Sequence, residues 1–188
     1  MTAITPLMPR QKVPALEVAT VGGDVWRLAE QTPEHFTMLV FYRGLHCPQC
    51  KGYLKDLDNK AAEFAAKGVD ILAVSSDGAA RAGQTKTDWR LDNLTIGYGL
   101  DLDMARQWGL YISAGIGKTS IGIEEPALFS EPGLFLVRPD GMLYFGSVQT
   151  MPFARPKFAD LLLALDFVIA RDYPARGEVV DHHRQAAE

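Results

Sequence analysis

The only two cysteines of this chain, Cys47 and Cys50, stand two residues apart between two segments of different periodicity. Before them runs the unbroken apolar stretch Met38-Leu39-Val40-Phe41-Tyr42; after them Tyr53, Leu54, Leu57, Ala61, Phe64 and Ala65 recur at helical spacing. A continuous apolar run of that length reads as a strand buried on both faces. Cys47-Pro48-Gln49-Cys50 therefore sits where a central strand gives way to a helix. At that junction the first sulfur meets the unpaired N–H groups and the positive end of the helix dipole, which favour a thiolate. The second thiol lies one turn along, in reach of the first. Pro48 suits the first helical turn, where no N–H is required.

Three other readings of the pair compete. A structural zinc site needs four ligands. The chain has no second C-x-x-C, and only His46, with His182 or His183 far away, is left to complete a set. A purely structural disulfide would close a very short loop and restrict the unfolded chain little. Two inert buried thiols would give no reason for the strand–helix setting.

The surrounding pattern is that of an α/β layered domain. Residues 1–13, with Pro6 and Pro9, read as an extended N-terminal arm, and Gly22-Gly23-Asp24 marks a small hairpin within Leu16 to Leu28. Gly68 closes the helix after the cysteines. Val69 to Val74 is a second buried strand ending in Ser75-Ser76-Asp77-Gly78, and residues 79–92 form another helix. Thr95 to Gly99 is extended, and Asp101 to Trp108 a short helix with Asp101 or Asp103 near its start. Residues 110–131, glycine-rich and carrying Glu124-Glu125, read mainly as loop. Leu134 to Val137 and Met142 to Val148 are strands joined by Arg138-Pro139-Asp140-Gly141, a hairpin signal. Phe158, Leu161, Leu162, Leu165, Val168 and Ile169 mark a last helix, with Pro156 near its first turn. The expected division is one domain over residues 1–171 and a mobile polar tail over 172–188. The redox motif falls at the carboxyl end of a central strand, where open α/β sheets place their sites.

Composition narrows the partners. With 188 residues, 47% of them hydrophobic and 22% charged, the chain has the make-up of a globular domain. A net charge of −4 argues against nucleic acid or an anionic membrane as partner. No apolar run approaches the roughly 20 residues of a membrane helix, and Met1 to Arg10 lack the pattern of a signal peptide. Two cysteines in a reactive arrangement, without a wider disulfide framework, fit a reducing cytoplasm.

The arrangement resembles the thioredoxin superfamily, and within it the peroxiredoxin branch, the alkyl hydroperoxide reductase and thiol-specific antioxidant family. The residues that carry the likeness are Phe41-Tyr42 leading into Cys47-Pro48, the strand Ile71-Leu72-Ala73-Val74-Ser75, and Gly133-Leu134-Phe135-Leu136-Val137 before Pro139-Asp140-Gly141. It spans roughly residues 13–170 by the pattern of elements. The resemblance implies a thioredoxin-like fold, a central mixed sheet flanked by helices, with Cys47 as the peroxidatic cysteine. It also makes a homodimer an expectation. None of the functional readings below requires a metal or an organic cofactor. Two positions depart from the family pattern. Gly44 stands where the family has Thr or Ser, and Pro132 where it has the arginine that stabilises the thiolate. Arg43 and Arg155 are the candidates to replace that arginine. Pro132 instead resembles the proline, often cis, that in thioredoxin-like dithiol proteins exposes backbone groups to a bound substrate. His46, next to Cys47, would lower its pKa if it were an imidazolium.

The resulting expectation is a thiol-based oxidoreductase. In the leading form Cys47 attacks a disulfide, Cys50 resolves the mixed disulfide, and thioredoxin or a small thiol resets the pair. In the second form Cys47 attacks a hydroperoxide and Cys50 condenses with the sulfenic acid. In the third the dithiol is a non-catalytic redox sensor or binding module acting through residues 110–131.

Overall fold

The computed structural model describes residues 5–181. The strands are β1 (Glu17–Thr20), β2 (Val25–Arg27), β3 (Phe36–Phe41), β4 (Val69–Val74), β5 (Thr95–Tyr98), β6 (Ile112–Ala114), β7 (Leu128–Ser130), β8 (Gly133–Val137) and β9 (Leu143–Val148). The helices are α1 (Pro48–Ala65), α2 (Ala79–Asp88), α3 (Leu102–Gln107) and α4 (Phe158–Arg171). Seven strands form one sheet in the order β2-β1-β5-β4-β3-β8-β9. β3 runs parallel to β4, and β4 to β5, while β8 returns antiparallel between β3 and β9. The sheet is mixed, as expected.

β3 is central and every one of its residues is buried. Its alternation divides the core in two. Phe36, Met38 and Val40 join Leu54, Leu57, Phe64, Leu134, Leu136 and Phe158 beneath α1 and α4. Leu39 and Phe41 join Leu72, Val74, Trp108, Phe135 and Val137 on the opposite face, where α3 packs. Cys47 and Cys50 belong to the first of these clusters. The sheet thus holds the thiol pair inside its apolar core and not at the rim.

The hairpin predicted around Gly22-Gly23 forms, pairing Glu17 with Arg27 and Ala19 with Val25. Asp101 caps α3, accepting from the N–H groups of Asp103 and Met104. Helix α2 stops at Asp88, short of the expected residue 92. Residues 110–131 are mainly loop, as expected, but their two ends form strands that pair antiparallel, Ile112 with Ser130 and Ala114 with Leu128. Runs of only three residues carry too little alternation to be read as strands. The N-terminal arm is not free either, since Lys12 bridges Met142 and the N–H of Arg10 bonds the carbonyl of Leu143. Beyond α4 the chain stays attached, with Ala175 buried and its carbonyl accepting from Arg10 Nε at 2.9 Å. The expected tail therefore begins as packed chain, up to the end of the described residues. His182 and His183 lie outside them.

Phe158 ties α4 to α1. Fully buried, it meets the Tyr53 ring at 4.3 Å and the Phe64 ring at 6.1 Å between centroids. Phe158→Ala removes that packing and is expected to lower stability by about 3–5 kcal/mol; a urea unfolding curve measures it.

Candidate functional site

Tyr42 follows β3, and the chain turns through Arg43, Gly44, Leu45 and His46 before α1 begins. The turn is fixed by Asp77, which arrives from the end of the neighbouring parallel strand β4. Its carboxylate accepts the Leu45 N–H at 2.7 Å and the Arg81 Nε–H at 2.9 Å. Gly44 has φ +130°, and a Cβ there would lie 2.5 Å from Asp77 Oδ2. The site therefore excludes the hydroxyl residue that the family pattern places at this position. Gly44 is required by close approach and by backbone conformation together.

Cys47 is the N-cap of α1, and Pro48 its first residue. The Cys47 Sγ accepts the Cys50 N–H at 3.3 Å, a bond that helps satisfy the open helix end. Cys47 is only 1% exposed and Cys50 not at all. Both sulfurs are enclosed, Cys47 marginally less than Cys50.

Arg155, from the connection between β9 and α4, supplies the charge. Its Nη2 donates to Cys50 Sγ at 3.1 Å, and its guanidinium lies 4.8 Å over the Tyr53 ring. Arg155 therefore reaches the second cysteine directly. The two thiols titrate as one unit. Burial opposes ionisation of Cys50, but the hydrogen bond from Cys47 and the charge and hydrogen bond of Arg155 outweigh it, bringing Cys50 down to about 6. Cys47 is pushed well up, first by its hydrogen bond with Cys50 and then by burial and the charge on Cys50. The pair gives up one proton easily and the second with difficulty.

The other candidates are placed differently from expectation. The Arg43 guanidinium is held by Glu125 and Glu131, each at 3.4 Å, and lies 4.5 Å over the Phe129 ring. Only its backbone N–H favours a Cys50 thiolate. His46 is fully buried, 4.6 Å from the Phe129 ring, with Nδ1 3.4 Å from Arg81 Nη2. Burial, together with the charges of Arg43 and Arg81, brings its pKa down to about 4 against the pull of Asp77 and Glu125. With its pKa brought that far down, the ring is uncharged at neutral pH, so the condition under which His46 would lower the Cys47 pKa is not met. Pro132 is buried, and no peptide bond among the described residues is cis. Its carbonyl accepts from Gln149, and the preceding N–H of Glu131 bonds Tyr111. The backbone groups expected to face a substrate are already paired within the protein.

Sequence reasoning missed Asp77, Arg81, Glu125, Phe129 and Glu131 as partners of this turn. Asp77 had a signal, because it ends the strand beside the one that carries the cysteines. Phe129 and Glu131 had none, because the short β6–β7 pair delivers them. Glu131 also accepts from Ser113 Oγ at 2.6 Å across that pair.

A buried thiol pair opening a helix after the central strand of a mixed sheet, with helices on both faces, defines a thioredoxin-like thiol protein. The chain belongs to the AhpC/TSA family, whose model matches residues 9–145. It is accordingly an enzyme of the thiol peroxidase and oxidoreductase type. Solved structures similar in fold include the peroxidoxin BcpB of Mycobacterium tuberculosis, at 19% identity and TM-score 0.66, covering 87% of this chain and 98% of that one. AhpC of Mycobacterium bovis matches at 15% identity and TM-score 0.70, over 90% of this chain and 96% of that one. A mutant of peroxiredoxin 6 from Arenicola marina matches at 16% and 0.70, over 88% and 76%. No curated protein sequence matches the chain. No helix among the described residues is long and apolar enough to cross a membrane.

Two outcomes follow from the turn. Gly44→Thr is expected to cost about 1–3 kcal/mol through backbone strain, with further loss from the clash with Asp77, and to bring no gain in peroxide reactivity; thermal melts and thiol-oxidation rates check both. His46, a base held below its ordinary 6.5 in the folded protein, leaves the unfolded chain binding the extra proton. Its contribution is present above pH 6.5 and is lost as the pH falls towards 4. The loss amounts to about 3 kcal/mol at most. His46→Gln should flatten that part of the profile in urea unfolding at pH 4.5 and 7.

Proposed function

We propose that this protein is a dithiol peroxidase, in which Cys47 attacks a hydroperoxide and Cys50 resolves the product. The observation that carries the reading is the enclosure of both sulfurs beside a guanidinium. A hydroperoxide, being small, requires far less uncovering of these sulfurs than a protein disulfide does. Membership of the AhpC/TSA family supports the same oxidant. Cys47 is the attacking sulfur, being the N-cap residue that precedes proline at the helix start. Its attack on the distal peroxide oxygen gives Cys47 sulfenic acid and an alcohol or water. Cys50 then displaces hydroxide to close the Cys47–Cys50 disulfide. Thioredoxin or a small thiol returns the pair to the dithiol.

The charges near the reacting atoms belong to Arg155 and the α1 N-terminus. Neither Gly44 nor Pro132 contributes a donor side chain. Disulfide exchange on the same two cysteines is the second reading, supported by the C-x-x-C spacing and the helix-end position of Cys47.

Stopped-flow mixing of the reduced protein with hydrogen peroxide, followed by thiol counting, tests the choice. The expected result is oxidation orders of magnitude faster than that of a free cysteine, abolished in Cys47→Ser. Cys50→Ser should consume one equivalent of peroxide and stop at a sulfenic acid that dimedone traps. Oxidation at the free-cysteine rate, with a mixed disulfide accumulating in Cys50→Ser, rejects the peroxidase in favour of exchange.

A further inference from the structure

The Arg155 contact with the inner sulfur bears on how the outer one becomes a nucleophile. We propose that the resting dithiol carries its negative charge on Cys50, and that the Cys50 thiolate is the base that takes the proton of Cys47 as Cys47 attacks. This rests on the peroxidase reading for the attack step, while the location of the charge stands on its own.

The groups around Cys50 come from three elements. From the β9–α4 connection, Arg155 Nη2 donates at 3.1 Å, its plane backed by the Tyr53 ring of α1. From the end of β3 come the Arg43 N–H, which favours the thiolate, and Tyr42, whose phenol burial keeps protonated. From the start of α1 comes the Cys47 thiol. The opposing claim of Cys47 rests on the helix end, one N–H at 3.3 Å and the more distant pull of the same Arg155 charge, which makes its hydrogen bond to Cys50 alone. A full opposite charge in contact lowers a pKa by about 1–3, whereas a helix end acts as roughly half a charge, spread over its first turn. The guanidinium wins, and Cys47 keeps its proton and donates it towards Cys50. Of the other groups in the turn, neither His46 nor Arg43 serves as base. His46 is uncharged but, with its pKa brought down to about 4, it is a weak acceptor. The Arg43 side chain is engaged by Glu125 and Glu131.

The step balances without a further reactant. Cys47 S–H transfers its proton to the Cys50 sulfur while the Cys47 electron pair forms an S–O bond and the peroxide O–O bond breaks. The departing alkoxide or hydroxide takes the proton from Cys50. The Cys47 sulfur has been oxidised by two electrons and the peroxide reduced by two. Cys50, again a thiolate beside Arg155, attacks the sulfenic sulfur and releases hydroxide. One residue thus serves as base first and as nucleophile second.

The test is the thiolate ultraviolet absorbance of the reduced protein followed against pH in wild type, Cys47→Ser, Cys50→Ser, Arg155→Gln and Arg155→Lys. Cys47→Ser is expected to keep a thiolate that titrates below neutrality. Cys50→Ser and Arg155→Gln should each move the midpoint up by about 2 pH units, and Arg155→Lys should restore part of the shift. A low midpoint that survives in Cys50→Ser and disappears in Cys47→Ser overturns the proposal, as does a midpoint indifferent to Arg155. Circular dichroism of each variant separates a lost fold from a moved charge. The titration involves no peroxide, so failure of the peroxidase reading leaves it intact.

Discussion

The carboxylate of Asp77 decides the shape of everything around the thiols. It is buried at the end of β4, paired to Arg81, and it receives the Leu45 N–H from the adjoining turn. Because β3 and β4 are parallel and in register from Phe36 with Val69 to Phe41 with Val74, their ends emerge side by side. One carboxylate on the second strand can then fix the chain leaving the first. That anchoring leaves room only for glycine at position 44 and sets the direction in which α1 starts. A buried charge of this kind is tolerable because its partners are complete. The same turn sends the Arg43 side chain towards Glu125 and Glu131 and leaves the sulfurs to another cation.

Much of the fold could be read from periodicity. The strand before the cysteines, the helix after them, the second strand and the final hairpin each carry enough residues for their pattern to stand out. The segment 110–131 did not, because β6 and β7 are three residues each and are held by pairing with one another. The attachment of the N-terminal arm to the start of β9 was equally hidden, since a single bridge leaves no mark in composition.

The site was legible in part. The thiol pair and its place at a helix start follow from spacing alone, and the substitutions at positions 44 and 132 can be seen against the family pattern. What each neighbour does could not be read, because adjacency in sequence does not give direction in space. His46 is next to Cys47 in the chain, yet its ring is turned into a buried pocket with Phe129 and Arg81. Arg155 is 105 residues from Cys50 in sequence and bonds it directly. It also lies beyond residue 145, where the family match ends, so the cation of this site is furnished by a connection outside the matched region.

The enclosure of both sulfurs has a thermodynamic consequence for the protein as a whole. In any dithiol protein the difference in folding stability between the two oxidation states sets how far its reduction potential departs from that of the unfolded chain. Here the sulfurs are members of the apolar cluster beneath α1 and α4. Any difference in packing between the dithiol and the disulfide is therefore also a difference in reduction potential, with about 1.4 kcal/mol equivalent to about 30 mV for a two-electron couple. Under the proposed Cys47–Cys50 cycle, other members of the cluster, such as Phe158 and Leu54, act on the redox equilibrium by how well they fit each oxidation state. Under that cycle the packing of the core also helps set the poise of the thiol pair.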